Sequence, residues 1–244
     1  MVAIVLPATA LGGRFEVRPV KIFFDARTKI TSFKVISGEE KNILTLQIQA
    51  LTWSQDGKGK DQYGDTKDLL VFPKLFKLQP GTERVVRVAL RGKKDPRREH
   101  TYRIFVEELP VEGRGDSTIT FALKLGMPVF VQPAQGKEDW SIEGFTLEKG
   151  RARVTIRNNG NEHLIVRQIA ARGADAGGEK VFSRTVNGWY VLADSQVSFF
   201  VPIAREKCLK LHTMKVSVRS RTDVRKEAET KVMPTPSLCP APKK

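Results

Sequence analysis

The sequence predicts an all-β protein of two sandwich domains, and three observations carry that prediction. Short segments alternate apolar and polar residues with the two-residue period of a strand. Clusters of Gly, Pro, Asn and Asp separate those segments at regular intervals, as they do in sandwiches. A stretch rich in Pro, Gly and charge, Gln132 to Asp139, divides two β-rich halves and has the usual composition of a domain boundary.

In the first half, Phe15 to Val17 and Val20 to Phe24 read as short strands. Lys29 to Ile36 alternates weakly. Asn42 to Trp53 alternates well, with Leu44, Leu46, Ile48 and Ala50 on one face and Thr45, Gln47 and Gln49 on the other. Ser54 to Asp65 reads as a polar, glycine-rich loop. Leu69 to Phe72 is a strand ended by Pro73, and Phe76 to Leu78 leads into Gln79-Pro80-Gly81. Pro at the second position and Gly at the third predict a type II turn there. Val85 to Leu90 and Tyr102 to Leu109 complete a list of about seven strands with no good helical stretch, the pattern of an immunoglobulin-like sandwich.

The second half repeats the style less regularly. Phe145 to Leu147, Ala152 to Ile156, Leu164 to Ile169, Trp189 to Leu192, Val197 to Ile203, Met214 to Val218 and Glu227 to Val232 read as strands. Asn158-Asn159-Gly160-Asn161 is a turn cluster tolerant of positive φ, Gly173 to Gly178 is a loop, and the proline-rich tail from Pro234 is irregular. The predicted divisions are 1–13, 14–132 and 133–244.

One stretch stands apart. Ser117 to Pro133 reads STITFALKLGMPVFVQP. Ile119, Phe121, Leu123, Leu125 and Met127 share one face, and Thr118, Thr120, Ala122, Lys124 and Gly126 the other. Val129, Phe130 and Val131 then form a continuous apolar run, which predicts burial on both faces. The stripe itself suits either a half-buried strand of the domain's own sandwich or an edge strand offered to another protein.

The composition bounds the function. A hydrophobic fraction of 40% supports real cores, so the chain is not a disordered protein. Its 42 Lys and Arg against 27 Asp and Glu give a net charge of +15, a field suited to nucleic acid, an anionic membrane surface or an acidic protein. No uninterrupted apolar run is long enough to span a bilayer. The start, MVAIVLPATALGG, is apolar and ends in small residues, with Ala8-Thr9-Ala10 fitting a small-x-small cleavage pattern. A basic leader is missing, so this is either the remnant of a longer secretory signal or an apolar arm. Cys208 and Cys239 are compatible with one disulfide or with two unrelated thiols.

Catalytic signals are few. His100, His163 and His212 have no Cys or carboxylate at metal-ligand spacing and read as surface or hydrogen-bonding histidines. There is no nucleophile elbow and no HExxH, and Gly57-Lys58-Gly59-Lys60 lacks the spacing of a phosphate-binding loop. Glu107 and Glu108 are neighbours on a strand and point to opposite faces, so they cannot share a proton. The sequence therefore predicts no enzyme, no cofactor and no metal. Nucleic acid is disfavoured too, because Lys and Arg are scattered and no reading element appears.

Four segments, in order, resemble the periplasmic pilus-assembly chaperones of the PapD-like family: LVFPKLFKLQPGTERVVRV from Leu70, EHTYRIFVEELP from Glu99, ITFALKLGMPVFVQP from Ile119 and RNNGNEHLIV from Arg157. The resemblance implies two immunoglobulin-like domains in an L or boomerang arrangement, periplasmic localisation and no ATP. It implies that the strand carrying the stripe completes a pilin or fimbrial subunit that lacks its last strand, before delivery to an outer-membrane usher. By position, Ile119, Phe121, Leu123 and Leu125 would be inserted. The cleft cations that hold the subunit's C-terminal carboxylate in the better-known branch fall here on Lys21 and Pro128, so that pair is not intact. The connector looks closer to the archaic branch, and Arg103, with Lys21 helping, is the expected replacement anchor. The short link from Pro110 to Ser117 resembles the chaperones that assemble thicker pili. In an oxidising periplasm Cys208 and Cys239 are expected to pair. Capping of the stripe by a second copy of the chain is a further expectation, and no insertion into the membrane is expected. The competing readings are a β-sandwich adhesin or structural subunit, and a basic nucleic-acid-binding β protein.

Overall fold

In the computed structural model, residues 15–109 and 122–240 are described. The chain divides into two compact units. One comprises Met1–Thr52, Tyr63–Lys94 and Thr101–Val131, and the other comprises Trp53–Gln62, Asp95–His100 and Gln132–Lys244. Both are built almost wholly of β-strands, as the alternating pattern predicts.

The first unit is built on β1 (Phe15–Arg18), β2 (Ile22–Phe24), β3 (Ile30–Ser37), β4 (Leu44–Gln55), β5 (Asp61–Asp65), β6 (Leu69–Phe72), β7 (Leu75–Leu78), β8 (Glu83–Leu90), β9 (His100–Leu109) and β10 (Lys124–Val131). One sheet has the order β1-β3-β8-β6. The other runs β2-β10-β9-β4-β5, with β7 also on β4. Phe33, Val35, Val86 and Val88 from the first sheet are sealed against Leu44, Leu46, Ile48, Ile104 and Val106 from the second. The predicted alternation of β4 holds up to Ile48, and then the phase changes. Trp53 is buried in the second unit, edge-on to Tyr190 at 5.5 Å between ring centroids. The predicted type II turn is present: Gly81 has φ 65° and Thr82 N donates to Gln79 O at 3.2 Å.

The second unit contains β11 (Trp140–Glu148), β12 (Arg151–Asn158), β13 (Leu164–Ala174), β14 (Lys180–Asn187), β15 (Tyr190–Val191), β16 (Gln196–Pro202), a one-turn helix α1 (Arg205–Cys208), β17 (Thr213–Ser220) and β18 (Arg225–Lys231). Its sheets are β11-β12-β16 and β14-β13-β17-β18, with β15 on β13. Trp140, Val154, Ile156, Ile169, Val216 and Val218 fill the space between them. Cys208 and Cys239 are joined, with Cα atoms 5.8 Å apart across a separation of 31 residues. Closing a loop of that length is worth about 3–4 kcal/mol in chain entropy.

Three local predictions are corrected. Ser54 to Asp65 is not all loop: β4 continues to Gln55 and β5 begins at Asp61. Lys180 to Asn187 forms a strand that the pattern does not show. Asn158 to Asn161 does not use positive φ, which among the described non-glycine residues is confined to Lys149, Asp194 and Asp223. Asn158 works instead through its side chain. Its Oδ1 accepts from Gly160 N at 2.9 Å, and its Nδ2 donates to Glu162 O at 2.8 Å and Val191 O at 3.0 Å. Such a buried amide settles several main-chain groups at once.

The tip between β4 and β5 rests on β16. Gln196 Nε2 donates to Gly57 O at 3.0 Å. Gly59 has φ 79°, and a Cβ there would lie 2.7 Å from Val197 Cα. Only glycine accommodates both conditions.

Candidate functional site

β9 and β10 supply the candidate site. The stripe reaches β10 in mid-alternation. Leu123 and Leu125 are half-buried and pack on the core of the first unit, Lys124 and Gly126 are exposed, and Met127 is buried. Glu108 N donates to Leu123 O at 2.9 Å, so the chain already lies against β9 there. Ile119 and Phe121, the other two predicted donor residues, lie outside the described residues. The link from Pro110 lies outside them as well.

The two edges of β10 differ along its length. Val129, Phe130 and Val131 pair in parallel with Ile22, Phe23 and Phe24 of β2. All three are buried, as a continuous apolar run predicts, because β10 there sits between β2 and β9. Among the described residues, Lys124 to Pro128 have β9 alone as a neighbouring strand. An edge of that kind is open to main-chain pairing with another strand, except at Pro128, which has no N–H to give.

On the outer face of this sheet Gly126 is covered by the Phe105 ring of β9. A Cβ at Gly126 would lie 3.0 Å from Phe105 Cε1 and 3.6 Å from Arg103 Cδ. Tyr63 holds the ring edge-on at 5.2 Å, and Lys124 Nζ lies 5.1 Å from its centroid. Lys124 also reaches Glu107 at 2.8 Å. Lys124 and Glu107 thus both stand on this outer face, whereas Glu108 turns inward and is buried.

The two anchor candidates lie on either side of β10. Arg103 lies on β9, and Lys21, half-buried, immediately precedes β2. Arg103 is 6% exposed, so it is not an ordinary solvated arginine. Its neighbour Tyr102 turns to the core, where its hydroxyl donates to Asp68 Oδ2 at 2.7 Å and Lys94 Nζ lies 2.5 Å from Asp68 Oδ1. Burial, and then the bond to Asp68, push the Tyr102 phenol well above its ordinary pKa, so it stays a donor at physiological pH. Tyr102 and its partners thereby fix the strand that carries Arg103.

Of the histidines, His163 is a hydrogen-bonding residue. Its Nδ1 lies 2.9 Å from both oxygens of the buried Glu99, and its main-chain N donates to Glu99 Oε2 at 2.9 Å. His100 Nε2 lies 3.3 Å from Asp95 O. Among the described residues no group of three or more His, Cys, Asp or Glu is arranged to hold a metal ion, and no helix is long and apolar enough to cross a membrane.

Residues 14–137 match the family model described as pili and flagellar-assembly chaperone, PapD N-terminal domain. The chain belongs to that chaperone family. No curated protein matches it. Solved chaperone structures share its fold over nearly the whole chain. One is the CsuC–CsuE chaperone–tip subunit pre-assembly complex from the archaic Csu pili of Acinetobacter baumannii, with 19% identity, 88% of this chain and 97% of that chain covered, and a TM-score of 0.59. A second is the Class 5 fimbriae chaperone CfaA, with 15% identity, 91% and 100% covered, and 0.55. A third is the Salmonella enterica SafA pilin–SafB chaperone complex, with 12% identity, 89% and 96% covered, and 0.53. At these identities the likeness is one of fold. In this family member the sequence reading missed Phe105 and Gly126. The signal available was an aromatic and a glycine on the outward positions of two strands, which single-strand periodicity does not connect.

Proposed function

We propose that this pilus-assembly chaperone works in the periplasm without ATP, holds pilin-like subunits by donating the strand that enters β10, and passes them to an outer-membrane usher. The observation that carries the reading is β10 itself: an alternating apolar stripe that arrives along an edge with β9 as its one described neighbour. Strand addition along such an edge draws affinity from the main chain and register from alternate side chains. Each fully inserted side chain contributes about 1.5–3 kcal/mol, so Ile119, Phe121, Leu123 and Leu125 would dominate the interaction. The Cys208–Cys239 disulfide suits an oxidising compartment.

Arg103 and Lys21 are assigned as the anchor for the subunit's terminal carboxylate. A buried guanidinium that flanks the donor strand can hold a carboxylate bidentately. Pro128, where the better-known branch has a lysine, supports reading the chain as one of the archaic branch.

A second reading has an observation in its favour. Leu123 and Leu125 pack on their own core, as the stripe of a β-sandwich adhesin or structural subunit would. Co-expression with a pilin-like subunit separates the two. Co-purification that is lost on Leu125→Asp supports donation, and a monomer that captures no subunit and stays monomeric at high concentration supports the structural reading. Within the donation reading, Arg103→Ala is expected to weaken the complex at least tenfold, and unchanged affinity removes Arg103 from the anchor.

A further inference from the structure

Gly126 is an exposed glycine inside a strand, and glycine there forfeits both packing and backbone order. Its lost side chain is replaced from the neighbouring strand. The Phe105 ring closes on the space where a residue-126 Cβ would stand, at 3.0 Å from that position. The ring is held in place by Tyr63 at 5.2 Å and by Lys124 at 5.1 Å. Phe105 is only half-buried by this arrangement. The ring stands on the outer face of the sheet against Gly126, where β10 has an open edge among the described residues.

We propose that Phe105, seated over Gly126, reads the outward side chain of the strand that pairs with β10, and that the side chain it selects is apolar. The inference rests on the strand-addition reading above and deepens it. An added strand lies about 4.8 Å from β10, and its outward side chain opposite Gly126 meets no Cβ on β10 itself. It leans across the glycine to the ring, within the range of a cross-strand aromatic contact. Lys124 does not turn this position into a carboxylate site, because its ammonium is already engaged by Glu107 at 2.8 Å. Selection is thereby added on the face of the sheet opposite the inserted stripe, so a subunit is read on both faces of one strand.

The test uses the full chain and synthetic strand peptides with Val on one face and Thr on the other. A single central Thr-face position is varied among Leu, Ser and Asp. Binding is followed by titration, and pairing is followed by the exchange of the main-chain amides of Lys124 to Met127. The Leu peptide is expected to bind about tenfold more tightly than the Ser peptide, a difference of about 1.4 kcal/mol. In Phe105→Ala that preference is expected to fall to within about twofold while the amide protection persists, as expected for a contact limited to the ring. Phe105→Leu, which keeps an apolar side chain on the sheet, should retain part of the preference and covers the case in which the alanine variant is poorly folded. Equal binding of all three peptides with β10 protected overturns the role of Phe105 and leaves strand addition standing. Tightest binding by the Asp peptide overturns it in favour of Lys124. Failure of every peptide to protect β10 overturns both readings.

Discussion

The two ends of β10 obey different rules. From Val129 to Val131 the strand has a neighbour on each side and is buried on both faces. From Lys124 to Pro128 it has one described neighbour, and half-buried leucine alternates with exposed Lys124 and Gly126. The same main chain is thus structural at one end and available at the other. The change of pattern from alternating to continuous marks where one role passes to the other. Burial on both faces leaves nothing to offer a partner, whereas burial on one face leaves an edge and an outer surface.

Substitutions along β10 should grade in effect from its sealed end to its open one. Phe130→Ala is expected to cost about 3–5 kcal/mol, because a fully buried ring stacked on Phe23 at 5.5 Å leaves a cavity. Urea denaturation measures this, and a loss under about 1 kcal/mol would erase the distinction between the two ends. Leu125→Ala is expected to cost only about 1 kcal/mol, since the side chain is half out of the core already. Its larger effect should appear as lost subunit capture, and a stability loss equal to that of Phe130→Ala would return the stripe to the protein's own core. Lys124→Ala is the smallest change, at about 0.3–0.5 kcal/mol, because the pair with Glu107 is exposed. That effect should vanish in high salt, and persistence would show that packing on Phe105 outweighs charge.

Much of this was legible in the sequence. Leu44, Leu46 and Ile48 are buried as their period predicts, and Val129 to Val131 as their continuity predicts. Single-strand patterns fail where a neighbour decides. β14 hides because its partner slips: Gly173 pairs with Phe182 and Ala174 with Lys180, so Val181 is skipped and adjacent Val181 and Phe182 break the alternation. β5 hides because Asp61 to Asp65 buries no apolar face. The asparagine cluster suggests a backbone role, but Asn158 acts through its amide. At the candidate site, the family resemblance points to Arg103 as a candidate, and its burial depends on packing that no local pattern carries. Phe105 and Gly126 come together only through β9–β10 pairing.

Gly59 shows how such neighbour effects would look to selection. It sits at a polar tip between two strands, where tolerance to change would normally be assumed. Its left-handed φ and the 2.7 Å approach of Val197 Cα bar every other residue at once. In a saturation library scored for folded protein, that tip should show a single permitted letter, and drift in homologues should halt there as abruptly as at a core phenylalanine.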